Sequence, residues 1–363
     1  MPTVSVIMSV YNGGAALRPA IESVLNQSFR DLELIVVDDG STDSGPALCD
    51  DFASRDPRVK VLHQRNAGLA SARNAALDVA TGKYVAFCDA DDEYRPAFCA
   101  RMVEELEHST VDLAVCGCEV VDETGRGADY IRSRVNEQLT DPRPGLVRAG
   151  TEERFWSVST TVCNKLFRRD VLDRFGIRFP SGHENEDDPF CYQYAMVSGD
   201  ALQVPDRLYR YHLRSGSIMD AYVARTPKNR WDRLSCAEYL MDFARRNELE
   251  ARFGCFFVRL WFEYYRMVKP FFTAEERGEV RRWILQRAGS CFSRGNLLVD
   301  CEGDLFYVDR IGTVADLLKA IWHRMRRFAS LWNAERSASI SRKARQCDLV
   351  WRCRHELSAG RGD

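Results

Sequence analysis

Hydrophobic and polar positions fall into alternating blocks along the first 120 residues. TVSVIMSV (3–10) is rich in β-branched residues and predicts a strand that stops at the turn cluster Tyr11-Asn12-Gly13-Gly14. Leu17, Ile21, Val24 and Leu25 then recur at helical spacing. LELIVVDDG (32–40) is an almost unbroken apolar strand closed by two aspartates and a glycine, and VKVLHQ (59–64) predicts a third strand. GLASARNAALDVATG (68–82) is an Ala-rich helix pattern with a glycine at its end, and KYVAFCDADD (83–92) is a fourth strand that runs into acids. Continuous apolar strands separated by helices predict a parallel sheet covered on both faces. Ligands of such sheets bind beyond the carboxyl ends of the strands. Tyr11/Asn12, Asp38/Asp39 and Asp89/Asp91/Asp92 are therefore expected to meet along one rim.

The pattern then changes. Residues 122–150 are rich in Gly, Pro and Arg and predict a loop excursion. Residues 151–215 return to compact structure with a second polar constellation, SGHENEDDPFCYQYA (181–195). From about 220 the chain is mostly helical and aromatic, as in FGCFFVRLWFEYYRMV (253–268).

Composition narrows the functional classes. The chain has 363 residues, 45% hydrophobic and 29% charged, the mix of an ordinary globular protein of about two domains. With 51 Lys+Arg against 53 Asp+Glu there is no global attraction to nucleic acid. Thirteen cysteines without a CxxC pair or zinc spacing predict buried free thiols and a reducing compartment. No apolar stretch is long enough to span a bilayer, and MPTVSVIMSV lacks the basic start of a signal peptide, so a cytoplasmic location is expected. Residues 313–363 hold 11 Lys+Arg against 5 Asp+Glu. Within them TVADLLKAIWHRMRRFASLWN (313–333) predicts a basic amphipathic helix. Two readings stay open: a helix packed on the enzyme with a solvated basic face, or a peripheral contact with anionic lipid at the inner face of the cell membrane.

Asp89 and Asp91 stand two apart at the end of the fourth strand. Alternation along a strand would put both on one side, where a divalent ion such as Mg²⁺ or Mn²⁺ relieves their repulsion and meets a diphosphate. In the second constellation, acids before an apolar run suit a helix N-terminus. HENE lacks the second histidine of a metalloprotease HExxH.

VSVIMSVYNGG, VVDDGSTD, RNAGLASARNAAL and GKYVAFCDADD, in that order and spacing, resemble the nucleotide-binding half of the family 2 glycosyltransferases. The resemblance continues more loosely through CNKLFRRDVL (163–172), the ENEDDPF run and LYRYHLRSGSIM (208–219). It implies a GT-A, Rossmann-like α/β fold, a mainly parallel sheet with flanking helices plus a C-terminal helical extension. The expected division is a GT-A domain over 1–220 (nucleotide-binding half 1–110, acceptor half 111–220) and a helical region over 221–363.

The resemblance also implies roles. Tyr11 stacks near the base, with Ser9 and Asn12 close by. Asp39 accepts a hydrogen bond from the base N–H, and Asp38 supports its loop. Arg73 faces the base or the diphosphate. Asp89 holds the ribose or a metal-bound water, and Asp91 ligates Mg²⁺ or Mn²⁺. Glu186 and Asp187 form the acidic pair that supplies the catalytic base, with Asp187 first and Asp188 the alternative by one register. His183 is either an acceptor contact or loop surface, and His212 either a metal or phosphate contact or a strand-end histidine. Arg214 and Ser217 would close over the diphosphate. The implied activity is metal-dependent, inverting transfer from a nucleoside diphosphate sugar, UDP-sugars first, to a glycan or lipid-linked hydroxyl of a capsule, exopolysaccharide or other surface glycan. Two alternatives remain. A nucleotidyltransferase would need a basic Gly-rich loop, which YNGGAALR does not resemble. The other is a sugar-nucleotide-binding protein of the same fold without transferase activity.

Overall fold

The computed structural model describes residues 1–126, 137–140, 142–150, 155, 157–214, 231–288, 297–301 and 304–308. They form two compact units, Met1–Asn247 and Glu248–Asp363.

The first unit is built on β1 (Val4–Val10), β2 (Leu32–Asp38), β3 (Val59–His63) and β4 (Tyr84–Phe87), linked by α1 (Leu17–Leu25), α2 (Gly45–Arg55) and α3 (Leu69–Val79). β2 is buried at every position and β1 at all but Ser9, as continuous apolar runs require of a sheet covered on both faces. α1 turns Leu17, Ala20, Ile21, Val24 and Leu25 inward. α3 buries Ala70, Ala72 and Ala76, small residues that let the helix approach the strands, together with Leu77 and Arg73.

Next come β5 (Glu93–Tyr94), α4 (Phe98–Glu107), β6 (Leu113–Asp122), α5 (Glu137–Thr140), β7 (Gly145–Val147), β8 (Lys165–Arg168), α6 (Arg169–Phe175), α7 (Asp187–Val197), β9 (Ala201–Leu213) and α8 (Asp232–Arg246). The sheet order is β3-β2-β1-β4-β8-β6-β9-β5, with β7 also on β9. The β3-β2-β1-β4 side is parallel throughout. β8 is antiparallel to both β4 and β6, while β6 and β9 run parallel. The expected α/β sheet with flanking helices is present, and antiparallel β8 joins its two parallel portions.

Two features seat β1 and β4 side by side. Glu33 lies buried in β2, where its Oε1 accepts from Ser5 Oγ (2.6 Å), Thr81 N (2.8 Å) and Thr81 Oγ1 (2.8 Å), and its Oε2 pairs with Lys60 Nζ (2.6 Å). Burial opposes its charge, but Lys60, Ser5 and Thr81 outweigh that and hold the carboxyl down at about 2. Gly82 donates its N–H to Ser5 Oγ at 2.8 Å, and a Cβ on it would lie 2.5 Å from Ser5 N.

The second unit contains α9 (Glu250–Val268), α10 (Ala274–Ala288) and a hairpin of β10 (Leu297–Cys301) and β11 (Asp304–Val308). α9 buries Phe256, Phe257, Leu260, Trp261 and Tyr265. Thr273 and Glu276 cap α10 reciprocally, Thr273 N to Glu276 Oε2 (2.7 Å) and Glu276 N to Thr273 Oγ1 (3.2 Å). The helical extension thus also carries a two-stranded sheet. Cys49, Cys88, Cys99, Cys116, Cys118, Cys163, Cys191 and Cys236 are buried free thiols. Among the described residues no helix is long and apolar enough to cross a membrane. The amphipathic segment 313–333 and Ser217 lie outside the described residues.

Gly82→Ala is expected to destabilise the protein by about 1–3 kcal/mol, because the new methyl meets the backbone of β1 rather than a movable side chain. Urea unfolding of wild type and variant measures the difference.

Candidate active site

The carboxyl ends of β1, β2 and β4 lie at one edge of the sheet because the three strands are parallel neighbours. Loops after β1 and β2 are tied together there. Asp39 donates its N–H to Val10 O (2.8 Å), Asn12 Oδ1 accepts from Thr42 N (2.8 Å), and Asn12 N donates to Ser41 Oγ (3.0 Å). Asn12 adopts φ 54°, a left-handed turn position that asparagine tolerates. Its side chain shapes the loop and leaves the neighbouring Tyr11 ring 57% exposed. The Ser9 hydroxyl is buried without a hydrogen-bond partner among the described residues.

Asp38 and Asp39 divide the work of the second loop. Asp38 accepts from Ser41 N and meets His63 Nδ1, both at 2.9 Å. Burial opposes the Asp38 charge, yet His63 and Ser41 outweigh it and hold the carboxyl below its ordinary value. Asp39 Oδ1 accepts from Gln64 Nε2 (2.7 Å) and Ala67 N (2.8 Å), and its Oδ2 from Gly68 N (2.8 Å). The loop that opens α3 is therefore folded around the Asp39 carboxylate.

Arg73 is the centre of the site. Its side chain is 3% exposed. Nη2 donates to Asp89 Oδ1 at 2.9 Å, and Nη1 donates to Glu186 Oε1 at 2.9 Å and to Asp187 Oδ1 at 2.6 Å. The guanidinium carbon lies 5.2 Å from the Phe179 ring centre and 6.0 Å from that of Phe87. Phe179 itself stacks on Phe190 at 4.0 Å. Burial opposes the charge, but Asp187, Asp89 and Glu186 outweigh it and raise the guanidinium above its ordinary value. Three of the five N–H donors of Arg73 thus go to carboxyl groups of Asp89, Glu186 and Asp187.

The acid cluster after β4 also departs from the strand argument. β4 ends at Phe87, and Asp89 to Asp92 occupy the turn that follows. Asp89 turns to Arg73. Asp91 has a half-exposed side chain, with Arg214 Nη1 at 3.8 Å. Burial and the Asp89 charge push the Asp91 carboxyl up. Asp92 is buried, accepting from Tyr209 Oη (2.6 Å) and His212 N (2.8 Å) of β9. Asp92 has a structural task that the sequence pattern does not separate from those of Asp89 and Asp91.

On the other side, α7 begins at the acidic pair, with Asp187 and Asp188 in its first turn. Asp187 Oδ2 lies 3.3 Å from Val162 N. Asp188 points away, accepting from Thr160 Oγ1 (2.5 Å) and Arg233 Nη1 (3.0 Å). Burial, then the Asp187 charge, push the Glu186 carboxyl up to about 8. Burial also raises Asp187, with Arg73 opposing and Asp89 reinforcing the shift. His183 lies in the loop before α7 and is anchored there by Asp232. His212 Nδ1 meets Glu123 Oε1 at 2.7 Å, and Arg214 Nε meets Glu123 Oε2 at 2.8 Å. Both side chains are held at the end of β9 by that glutamate.

Residues 5–176 match the model of glycosyl transferase family 2. The uncharacterized glycosyltransferase YibD of Escherichia coli (strain K12) is 34% identical over 218 residues, covering 59% of this chain and 62% of YibD. The glycosyltransferase GlyG of Streptococcus pneumoniae serotype 4 is 30% identical over 220 residues, covering 60% of this chain and 72% of GlyG. The match spans just under two thirds of YibD and somewhat more of GlyG. Residues 1–349 of S. aureus TarS, crystallised in complex with UDP-GlcNAc, share the fold with a TM-score of 0.57 at 18% identity, over 86% of this chain and 98% of that one. The fold is the GT-A fold, and the chain belongs to glycosyltransferase family 2.

The Glu186 shift has a measurable sign. The folded state holds a proton on Glu186 that the unfolded chain releases at its ordinary 4.5, so this residue's contribution to stability falls as pH rises from about 4.5 to about 8. Glu186→Gln cannot lose that proton. Its melting temperature, followed by calorimetry across this range, is expected to fall less with pH than that of the wild type.

Proposed function

We propose that the protein transfers a sugar from a nucleoside diphosphate sugar, a UDP-sugar first, to an acceptor hydroxyl with inversion at C1. One observation carries the reading: Asp89, after β4, and Asp187, at the start of α7, are bonded to the same guanidinium. A donor-side acid and an acceptor-side acid thereby face one small volume, as direct displacement at a single sugar carbon requires.

On the donor side, the exposed face of Tyr11 offers a stacking surface for the base. Asp39 Oδ2 takes one N–H from the protein and has a further lone pair for a base N–H. Asp89 and Asp91 are hard oxygen donors; burial first and then the Asp89 charge raise the Asp91 carboxyl, and a divalent cation would relieve that repulsion. These residues fit Mg²⁺ or Mn²⁺, with Asp91 as direct ligand and Asp89 on the ribose or a bound water. When bound, the ion would offset charge on the departing diphosphate.

On the acceptor side, Asp187 takes the hydroxyl proton. The acceptor oxygen bonds to C1 as the bond from C1 to the diphosphate oxygen breaks, and that electron pair leaves with the nucleoside diphosphate. Inversion follows from a single displacement, through an oxocarbenium-like transition state. Asp187 suits the role better than its neighbours. Glu186 is buried against Arg73, and the Asp188 oxygens are held by Thr160 and Arg233. The raised Asp187 carboxyl is closer to the working pH, which favours proton uptake. The product belongs with a capsule, exopolysaccharide or other surface glycan, built on a glycan or lipid-linked acceptor.

Thermal shift against UDP-, GDP- and dTDP-sugars, with and without Mn²⁺, identifies the donor by mass action. Asp187→Asn is expected to lower donor turnover by at least about 100-fold while retaining the donor-induced shift. Unchanged turnover removes Asp187 from the role. EDTA is expected to abolish turnover, and added Mn²⁺ to restore it. Full activity after chelation removes the metal from the reaction, and a donor-induced shift without any turnover supports a binding protein instead.

A further inference from the structure

The segment that presents the acidic pair is held from two sides. On one side is Arg73. On the other is the first turn and a half of α8. Asp232, its first residue, is 1% exposed, and its carboxylate accepts four hydrogen bonds from consecutive residues of the segment. Oδ1 takes His183 Nδ1 at 2.8 Å, while Oδ2 takes Glu184 N at 3.1 Å, Asn185 N at 3.1 Å and Asn185 Nδ2 at 2.7 Å. The next residue, Arg233, donates to Asp188 Oδ2 at 3.0 Å. Cys236 donates its thiol hydrogen to Asn185 O, with 3.6 Å between sulfur and oxygen. His183, Glu184, Asn185 and Asp188 are thus bound to α8, and the two residues between them, Glu186 and Asp187, are bound to Arg73.

A carboxylate this buried is retained at a cost unless every lone pair is used, and here the N–H donors are all from one short segment. We propose that Asp232 is a positioning residue for the transfer reaction: by clamping the backbone of residues 183–185 it sets where Asp187 stands between Arg73 and the acceptor hydroxyl. This rests on the reading of Asp187 as the base. Small displacements of a catalytic group are costly, so the clamp should act on turnover rather than on donor affinity.

His183, Asp232 and Cys236 also bring three metal-ligating atoms within 4.8 Å of one another. A hydrogen-bond clamp accounts for them better than an ion. Both Asp232 oxygens already accept N–H donors, and burial together with the Asp232 charge keeps the Cys236 thiol protonated.

The test compares wild type with Asp232→Ala and Asp232→Asn in the full chain. Amide hydrogen exchange over residues 183–188 is expected to quicken by about tenfold or more in Asp232→Ala, and exchange over 64–73 to stay unchanged. UDP with Mn²⁺ should still raise the melting temperature as in wild type. Hydrolysis of the best-binding UDP-sugar, with water as acceptor, should lose about 100-fold in kcat with donor KM little changed, and Asp232→Asn should recover part of the loss. Unchanged exchange at 183–188, a donor KM that rises in step with falling kcat, or stoichiometric zinc lost in Cys236→Ala overturns the proposal. If Asp232→Ala does not fold, His183→Ala removes one of the four donors and takes its place in the exchange measurement. A wild type that turns over no nucleotide sugar overturns the transferase reading by itself, and the exchange measurement still decides the clamp.

Discussion

One buried guanidinium organises this protein. Arg73 reaches the site from α3, and its three carboxylate partners come from the turn after β4 and from the start of α7. A desolvated cation needs nearby anions, and anions packed this closely need the cation. Neither half of the first unit satisfies its own charges. The aromatic floor of Phe87 and Phe179 completes the enclosure by excluding water from below. The consequence is geometric: the acid after β4 and the acids at the start of α7 are spaced by the fixed span of one planar group.

Around that centre the polar residues fall into two kinds. Asp38, Asp92 and Asn12 bond to backbone amides and neighbouring side chains and shape the loops, and Asp39 does so while keeping a lone pair on Oδ2. Tyr11 and Asp91 remain open to solvent. A rigid inner ring therefore carries a small number of outward groups.

The first strands and helix were legible because their signals are local. Unbroken apolar runs ending in turn residues mark β1, β2 and β3 to within a residue or two, and the stripe at Leu17, Ile21, Val24 and Leu25 marks α1. Less local facts were not legible. Arg73 reads as a base or diphosphate contact, and its partners at positions 186 and 187 are seen to return to it only in space. The acids at 89–92 look equivalent in sequence, and only contact with Tyr209 and His212 sets Asp92 apart. β5 is two residues long, too short to carry a period. Nothing near Asp232 in the sequence points to the segment it holds some fifty positions earlier.

The placement of β8 bears on how the polypeptide assembles. β1 to β4 are consecutive, parallel and joined by short helical crossovers, so they can pair as they emerge. β4, however, finds its other neighbour only in Lys165–Arg168, beyond β5, β6 and β7 in the chain. Until that stretch has been synthesised, the inner border of the sheet is a bare row of amides and carbonyls, the kind of edge that recruits foreign strands. Closing that border also seats α7, whose Tyr194 hydroxyl accepts the Arg168 N–H. The nascent protein is thus most vulnerable to aggregation over the same interval in which it still lacks half of its charged centre.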